Sequence, residues 1–63
     1  MNENELKLIC LESRLENAIG MIGYYRRHNY RQHEYEWDQI LTDTIDQILE
    51  LAQHIEKEIE CKN

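Results

Sequence analysis

Tyr24-Tyr25-Arg26-Arg27-His28-Asn29-Tyr30-Arg31-Gln32-His33 is the stretch that decides the fold, because the apolar repeat changes phase across it. Before it, Leu8, Leu11, Leu15, Ala18, Ile22 and Tyr25 alternate spacings of three and four, the a/d seam of a packed helix. Carried past the stretch, the same register lands on Asn29, Gln32, Glu36, Gln39, Asp43, Asp46, Glu50 and Gln53, all polar. The apolar residues beyond it are instead Trp37, Leu41, Ile45, Ile48, Ala52, Ile55 and Ile59, a second seam in a different phase. One straight helix would expose half of its core. A reversal between about Arg27 and His33 puts the two seams face to face, and Asn29 is the non-glycine residue best suited to a left-handed turn. The expected architecture is all-α: one domain over residues 1–63, with helix 1 at about 3–27, an elbow at about 28–32 and helix 2 at about 33–61. A long helix that changes partners midway is the alternative.

Local signals agree with these limits. The chain has no proline and only two glycines, Gly20 and Gly23, a helix-forming composition. Asn2 followed by Glu5 reads as a capping box for helix 1, and Asn29 followed by Gln32 reads as one for helix 2. Arg26 and Arg27 close helix 1, while Glu34, Glu36 and Asp38 open helix 2, each sign of charge where the helix dipole favours it.

Sixty-three residues bury too little surface for a robust isolated core. Small folds add disulfides, a metal or a second copy. Cys10 and Cys61 allow one bridge at most, and in a hairpin they lie out of register. His28 and His33, five apart, make no metal set with them. No metal or cofactor is expected. Self-association is left as the source of stability: a homodimer of hairpins, or a higher oligomer, forming a four-helix bundle. Leu8, Leu11, Leu15, Ile22, Leu41, Ile45, Ile48 and Ile55 are expected in its shared core. Leu6, Ile9, Ile19, Met21, Ile40, Leu49 and Leu51 lie outside the seams and widen the apolar stripe. This second face equally suits a foreign partner. The two glycines, three apart, suggest close approach of another backbone or simply tolerated flexibility.

No apolar run approaches the ~20 residues of a membrane span, and the start of the chain lacks a signal peptide's positive region. A cytoplasmic protein is expected. No acid–base pair or nucleophile constellation stands out, so a non-enzyme is expected. Net charge is −6, which works against general affinity for nucleic acid. The charge is uneven. Residues 34–60 hold nine carboxylates and one lysine, whereas residues 3–27 hold four acids and four bases. Asp43, Asp46 and Glu50 form an outward acidic stripe that could occupy a basic channel; such stripes more commonly serve solubility.

The stretch from Tyr24 to Trp37, around the elbow, holds all four tyrosines, the only tryptophan, three of seven Lys/Arg and two of three histidines. Arginine and aromatic side chains supply hot-spot energy at interfaces and also stack on bases. Tyr24, Arg26, Arg27, Tyr30, Arg31 and Tyr35 are the candidate partner-binding residues. The competing role for such residues is structural, closing the end of a bundle. Three functions follow: a small acidic regulator or inhibitor that binds one larger protein, resembling in style the accessory proteins of phages and mobile elements; an RNA-binding regulator; and a nucleotide-binding bundle.

Overall fold

Helix α1, Glu3–Arg27, begins where the sequence predicts because Asn2 stays extended and its Oδ1 accepts the Glu5 N–H at 2.8 Å. Such a cap contributes about 1 kcal/mol. The computed structural model describes the backbone of residues 2–62 and the side chains of residues 2–59. Within them the chain forms α1 and a second helix, α2, Arg31–Lys62, packed against each other as a hairpin with extents of 51 × 18 × 12 Å. No helix among the described residues is long and apolar enough to cross a membrane.

The reversal is a Schellman motif. Asn29 sits at φ 60, the one left-handed non-glycine residue described. Its N–H donates to the Arg26 carbonyl at 3.2 Å, and the Tyr30 N–H donates to the Tyr25 carbonyl at 2.9 Å. These are the two bonds that satisfy the last carbonyls of a helix, and the usual apolar contact accompanies them: the Tyr25 and Tyr30 rings lie 6.2 Å apart, edge to face. Because Asn29 is spent on this turn it does not cap α2. The Tyr30 carbonyl accepts the first helical bond, from Glu34 N–H at 3.0 Å, and Gln32 turns instead to Glu36, donating at 3.3 Å. Helix α2 therefore starts at Arg31, between the two starts that the sequence offers, Tyr30 and His33. Arg26 reaches across the elbow to Glu34, Nε to Oε2 at 3.1 Å.

The α1 seam is the one read from the sequence. Leu8, Leu11, Leu15 and Tyr25 are half-buried, and Ala18 and Ile22 are buried. The α2 seam differs. It runs Trp37, Leu41, Thr44, Ile48, Leu51, Ile55, so Thr44 and Leu51 take the places expected for Ile45 and Ala52. Ile45, Ala52 and Ile59 are exposed. Both registers share Leu41, Ile48 and Ile55, and they part over which of two adjacent residues turns inward. Thr44 wins at mid-hairpin, where it and Ala18 are both 0% exposed. Two small side chains let the helices approach closely. The Thr44 hydroxyl is satisfied locally, donating to the Ile40 carbonyl at 2.7 Å, so its burial leaves no orphan donor. Leu51 and Met21 are half-buried, whereas Leu6, Ile9, Ile19, Ile40 and Leu49 stay exposed. At the open end Asn4 Nδ2 donates to Glu58 Oε1 at 2.9 Å, in the register that the turn and the seams set. Cys10 is exposed and lines a hollow with Leu51; the expectation about Cys61 falls outside the described side chains.

Candidate functional surface: the elbow and the two flanks

An antiparallel pair of helices has two flanks. Residues that directly follow a seam residue line one, and residues that directly precede a seam residue line the other. The hollows between the helices agree with this assignment. Arg26 and Asp38, which follow Tyr25 and Trp37, share one hollow with Arg31, Glu34 and Tyr35. Arg14, Asn17, Ile40 and Asp43, which all precede seam residues, share another with Trp37.

The six elbow residues proposed from sequence do not form one patch. Tyr24 belongs to a ring cluster on the preceding flank: its ring lies 4.4 Å from that of His28 and 5.4 Å from that of Tyr25. Tyr30 packs against Tyr25 and His33 at 6.2 Å each, and His33 lies 5.0 Å from Tyr25. Five rings from both helices thus stiffen the turn, while Tyr24 and Tyr30 remain 46% and 53% exposed. The Schellman turn explains the cluster, since it folds Tyr30 back over Tyr25. His28 and His33, both exposed, are part of it. Arg27 is exposed and lies back along α1 toward Gly23.

Arg26, Arg31 and Tyr35 sit on the other flank, around an open hollow of about 390 Å³ that Glu34 and Asp38 also line. Arg26 is already paired with Glu34. Arg27 and Arg31 make no ion pair among the described residues. The mixture of two guanidinium groups and two carboxylates suits a peptide or another protein better than a phosphate, which the carboxylates would repel.

Asp43, Asp46 and Glu50 are all exposed, but they do not share one outward face: Asp43 and Glu50 precede seam residues and lie on a flank, Asp43 in the hollow with Arg14 and Asn17, whereas Asp46 points away from α1. Asp43 accepts from Gln47 Nε2 at 2.7 Å, an i,i+4 contact that holds the carboxylate against its own helix. Gly20 and Gly23 are not explained by helix packing within the hairpin. A Cβ at Gly20 would meet nothing within 4 Å, and one at Gly23 only the mobile end of Arg27 at 3.6 Å. Among the described residues no group of three or more His, Cys, Asp or Glu is placed to hold a metal.

What sequence reasoning missed is the composition of the following flank. It carries Ile9 and Ile19 of α1 and Ile45, Leu49 and Ile59 of α2, at 46%, 56%, 42%, 57% and 58% exposure. The signal was present in Thr44, the polar residue between Leu41 and Ile48: a threonine that can bond back to its own helix fits a narrow seam and leaves the bulkier Ile45 outside.

Compared with protein families, characterised proteins and solved structures, the chain matches none. The class it defines is that of the two-helix hairpins.

Proposed function

We propose that this hairpin is a small acidic regulator or inhibitor, phage- or mobile-element-like in style, that acts by non-catalytic protein–protein interaction and assembles as a homodimer in a four-helix bundle. The observation that carries the recognition role is the elbow. Tyr24, Arg27 and Tyr30 are exposed there on a turn that is already rigid, fixed by two backbone bonds and by ring packing. Aromatic and arginine side chains presented without further ordering make strong anchors, because little entropy is lost on binding. The RNA- or nucleotide-binding reading is less favoured, since Glu34 and Asp38 stand beside Arg26 and Arg31.

Matched captures from one lysate test the reading. Wild type and the triple variant Asp43→Asn, Asp46→Asn, Glu50→Gln should retain the same protein, and Arg27→Ala/Tyr30→Ala should lose it with helicity unchanged. Loss in the triple variant alone would move the working surface to the acidic stripe. Tight, salt-sensitive binding of labelled RNA would replace the protein-binding reading with the RNA one.

A further inference from the structure

We infer that the flank following the seam is the homodimer face, and that two copies meet on it antiparallel, the elbow of each against the open end of the other. This rests on the dimer reading above and adds the face, the orientation and the pairing of residues.

Area supplies the first argument. The hairpin exposes 5248 Å². A compact monomer of 7.7 kDa exposes ~4300 Å² by the usual scaling of surface with mass. The excess of ~900 Å² is close to the ~800 Å² that each partner buries in a standard interface. The broad side of the hairpin, 51 × 18 Å, is large enough to supply it. Only Ala18, Ile22 and Thr44 are buried within the described hairpin, too little core for a stable domain.

Chemistry selects the side. On the α2 part of this flank Thr42, Ile45, Leu49, Ala52 and Ile59 follow one another without a charge except Glu56. The opposite flank of α2 reads Glu36, Ile40, Asp43, Gln47, Glu50, His54 and is solvated. Contact therefore runs chiefly between the two α2 helices, with Ile9 and Ile19 beside it. Glu12 and Glu16 of α1 fall at the rim, where they keep their water.

Charge selects the orientation. At the elbow Arg26 and Arg31 balance Glu34 and Asp38 in one hollow, whereas Glu5 and Glu56 leave the open end of this flank negative. An antiparallel pair sets each negative end beside a balanced elbow; an elbow-to-elbow pair sets the two negative ends together. A two-fold axis level with residue 47 then places Ile45 opposite the partner's Leu49, Thr42 opposite the partner's Ala52, and Tyr35 opposite the partner's Ile59; Asp38, level with the partner's Glu56, shares its hollow with Arg31, which offsets that like charge. Tyr35, Arg26 and Arg31 are thereby used in assembly, which leaves Tyr24 and Tyr30 free for a foreign partner, with Arg27 at the edge of the face beside Gly23.

The test pairs mass with distance in the full chain. Sedimentation should give a dimer, weakened on the order of a hundredfold by Ile45→Glu, which buries an unpaired charge twice. Ile40→Glu on the opposite flank should leave association within a few-fold. A nitroxide on Gln32→Cys, with Cys10 and Cys61 changed to serine, reads orientation without disturbing the face. The antiparallel dimer predicts a separation of ~45 Å, from the 1.5 Å rise over the residues between the label and the axis on each copy. An elbow-to-elbow dimer predicts roughly 20 Å or less, since packed helices lie 8–10 Å apart. A folded monomeric wild type would overturn the dimer reading itself. A dimer weakened by Ile40→Glu and not by Ile45→Glu would overturn the face alone, and a short label distance the orientation.

Discussion

The two flanks of this hairpin are built on the same seam and from the same helices, yet they differ in kind. One presents Ile9, Ile19, Ile45, Leu49 and Ile59, all well exposed. The other presents Lys7, Arg14, Asn17, Asp43, Glu50 and His54, with Cys10, Tyr24 and Ile40 dispersed among them. A two-helix protein that worked alone would have no reason to load one flank with isoleucine and leucine, since neither flank is covered by its own chain. The difference teaches that the seam buries only part of the apolar surface of the two helices, and the proposed homodimer is the reading that covers the rest. Exposed apolar residues scattered singly need no explanation, but a row of them along one side of a helix does.

Substitutions break or sharpen that contrast in order of expected size. The largest effect belongs to the seam that both flanks share. Ile48→Asp puts a carboxylate against Leu15 and Leu11 and should cost more than ~3 kcal/mol, which exceeds what a marginal hairpin can lose. Far-ultraviolet circular dichroism should show helicity collapse. The change His54→Gln, at an exposed position of the polar flank, should shift stability by less than ~0.5 kcal/mol. Comparable losses at the two positions would erase the distinction between seam and polar flank.

The elbow comes next, because both flanks exist only while the chain reverses. Asn29→Val forces a β-branched side chain to φ 60 and should cost ~1–2 kcal/mol. Asn29→Gly keeps the turn and should melt within a degree or two of wild type, or slightly above it. A valine variant as stable as the glycine one would mean that the left-handed residue does not hold the turn.

The smallest effect uses the glycines. Gly20→Ala adds a methyl group into open space and should stabilise α1 by ~1 kcal/mol, a rise of about 4–8 °C in Tm for a domain of this size. Gly23→Ala offers the same gain in helix propensity but lies on the apolar flank. With a second copy against that flank the gain at Gly23 should be smaller than at Gly20, and equal gains would argue that nothing approaches there.

The fold was legible in the sequence where a single interpretation fitted the pattern. The α1 seam has one apolar stripe at seam spacing, and it packs as read. The reversal was legible from the polar residues that the first register meets after Ile22, and from Asn29, the residue that tolerates a left-handed turn best after glycine. The α2 seam was harder because its apolar stripe is broad. At Thr44/Ile45 and Leu51/Ala52 adjacent residues compete, and periodicity alone favours the more apolar Ile45. Close packing at Ala18 and a hydroxyl bond to the Ile40 carbonyl decided for Thr44, and neither is visible without the partner helix. The elbow was recognised as unusual, but its division was not. Which ring meets which depends on the geometry of a non-helical turn, and that turn sends Tyr24 and Tyr30 to one flank and Arg26, Arg31 and Tyr35 to the other.

The Schellman turn also sets the order in which the hairpin forms. Its bonds close loops of four and six residues, between Asn29 and Arg26 and between Tyr30 and Tyr25, so they require little loss of chain entropy. The bond from Asn4 to Glu58 spans 54 residues and is worth closing only after everything between has paired. Folding thus nucleates at the turn and zips toward the ends, passing the Ala18–Thr44 layer midway, as expected of a chain whose contacts are most local at one point. Opening runs in reverse, so amide protons near the chain ends exchange first and those beside the turn last.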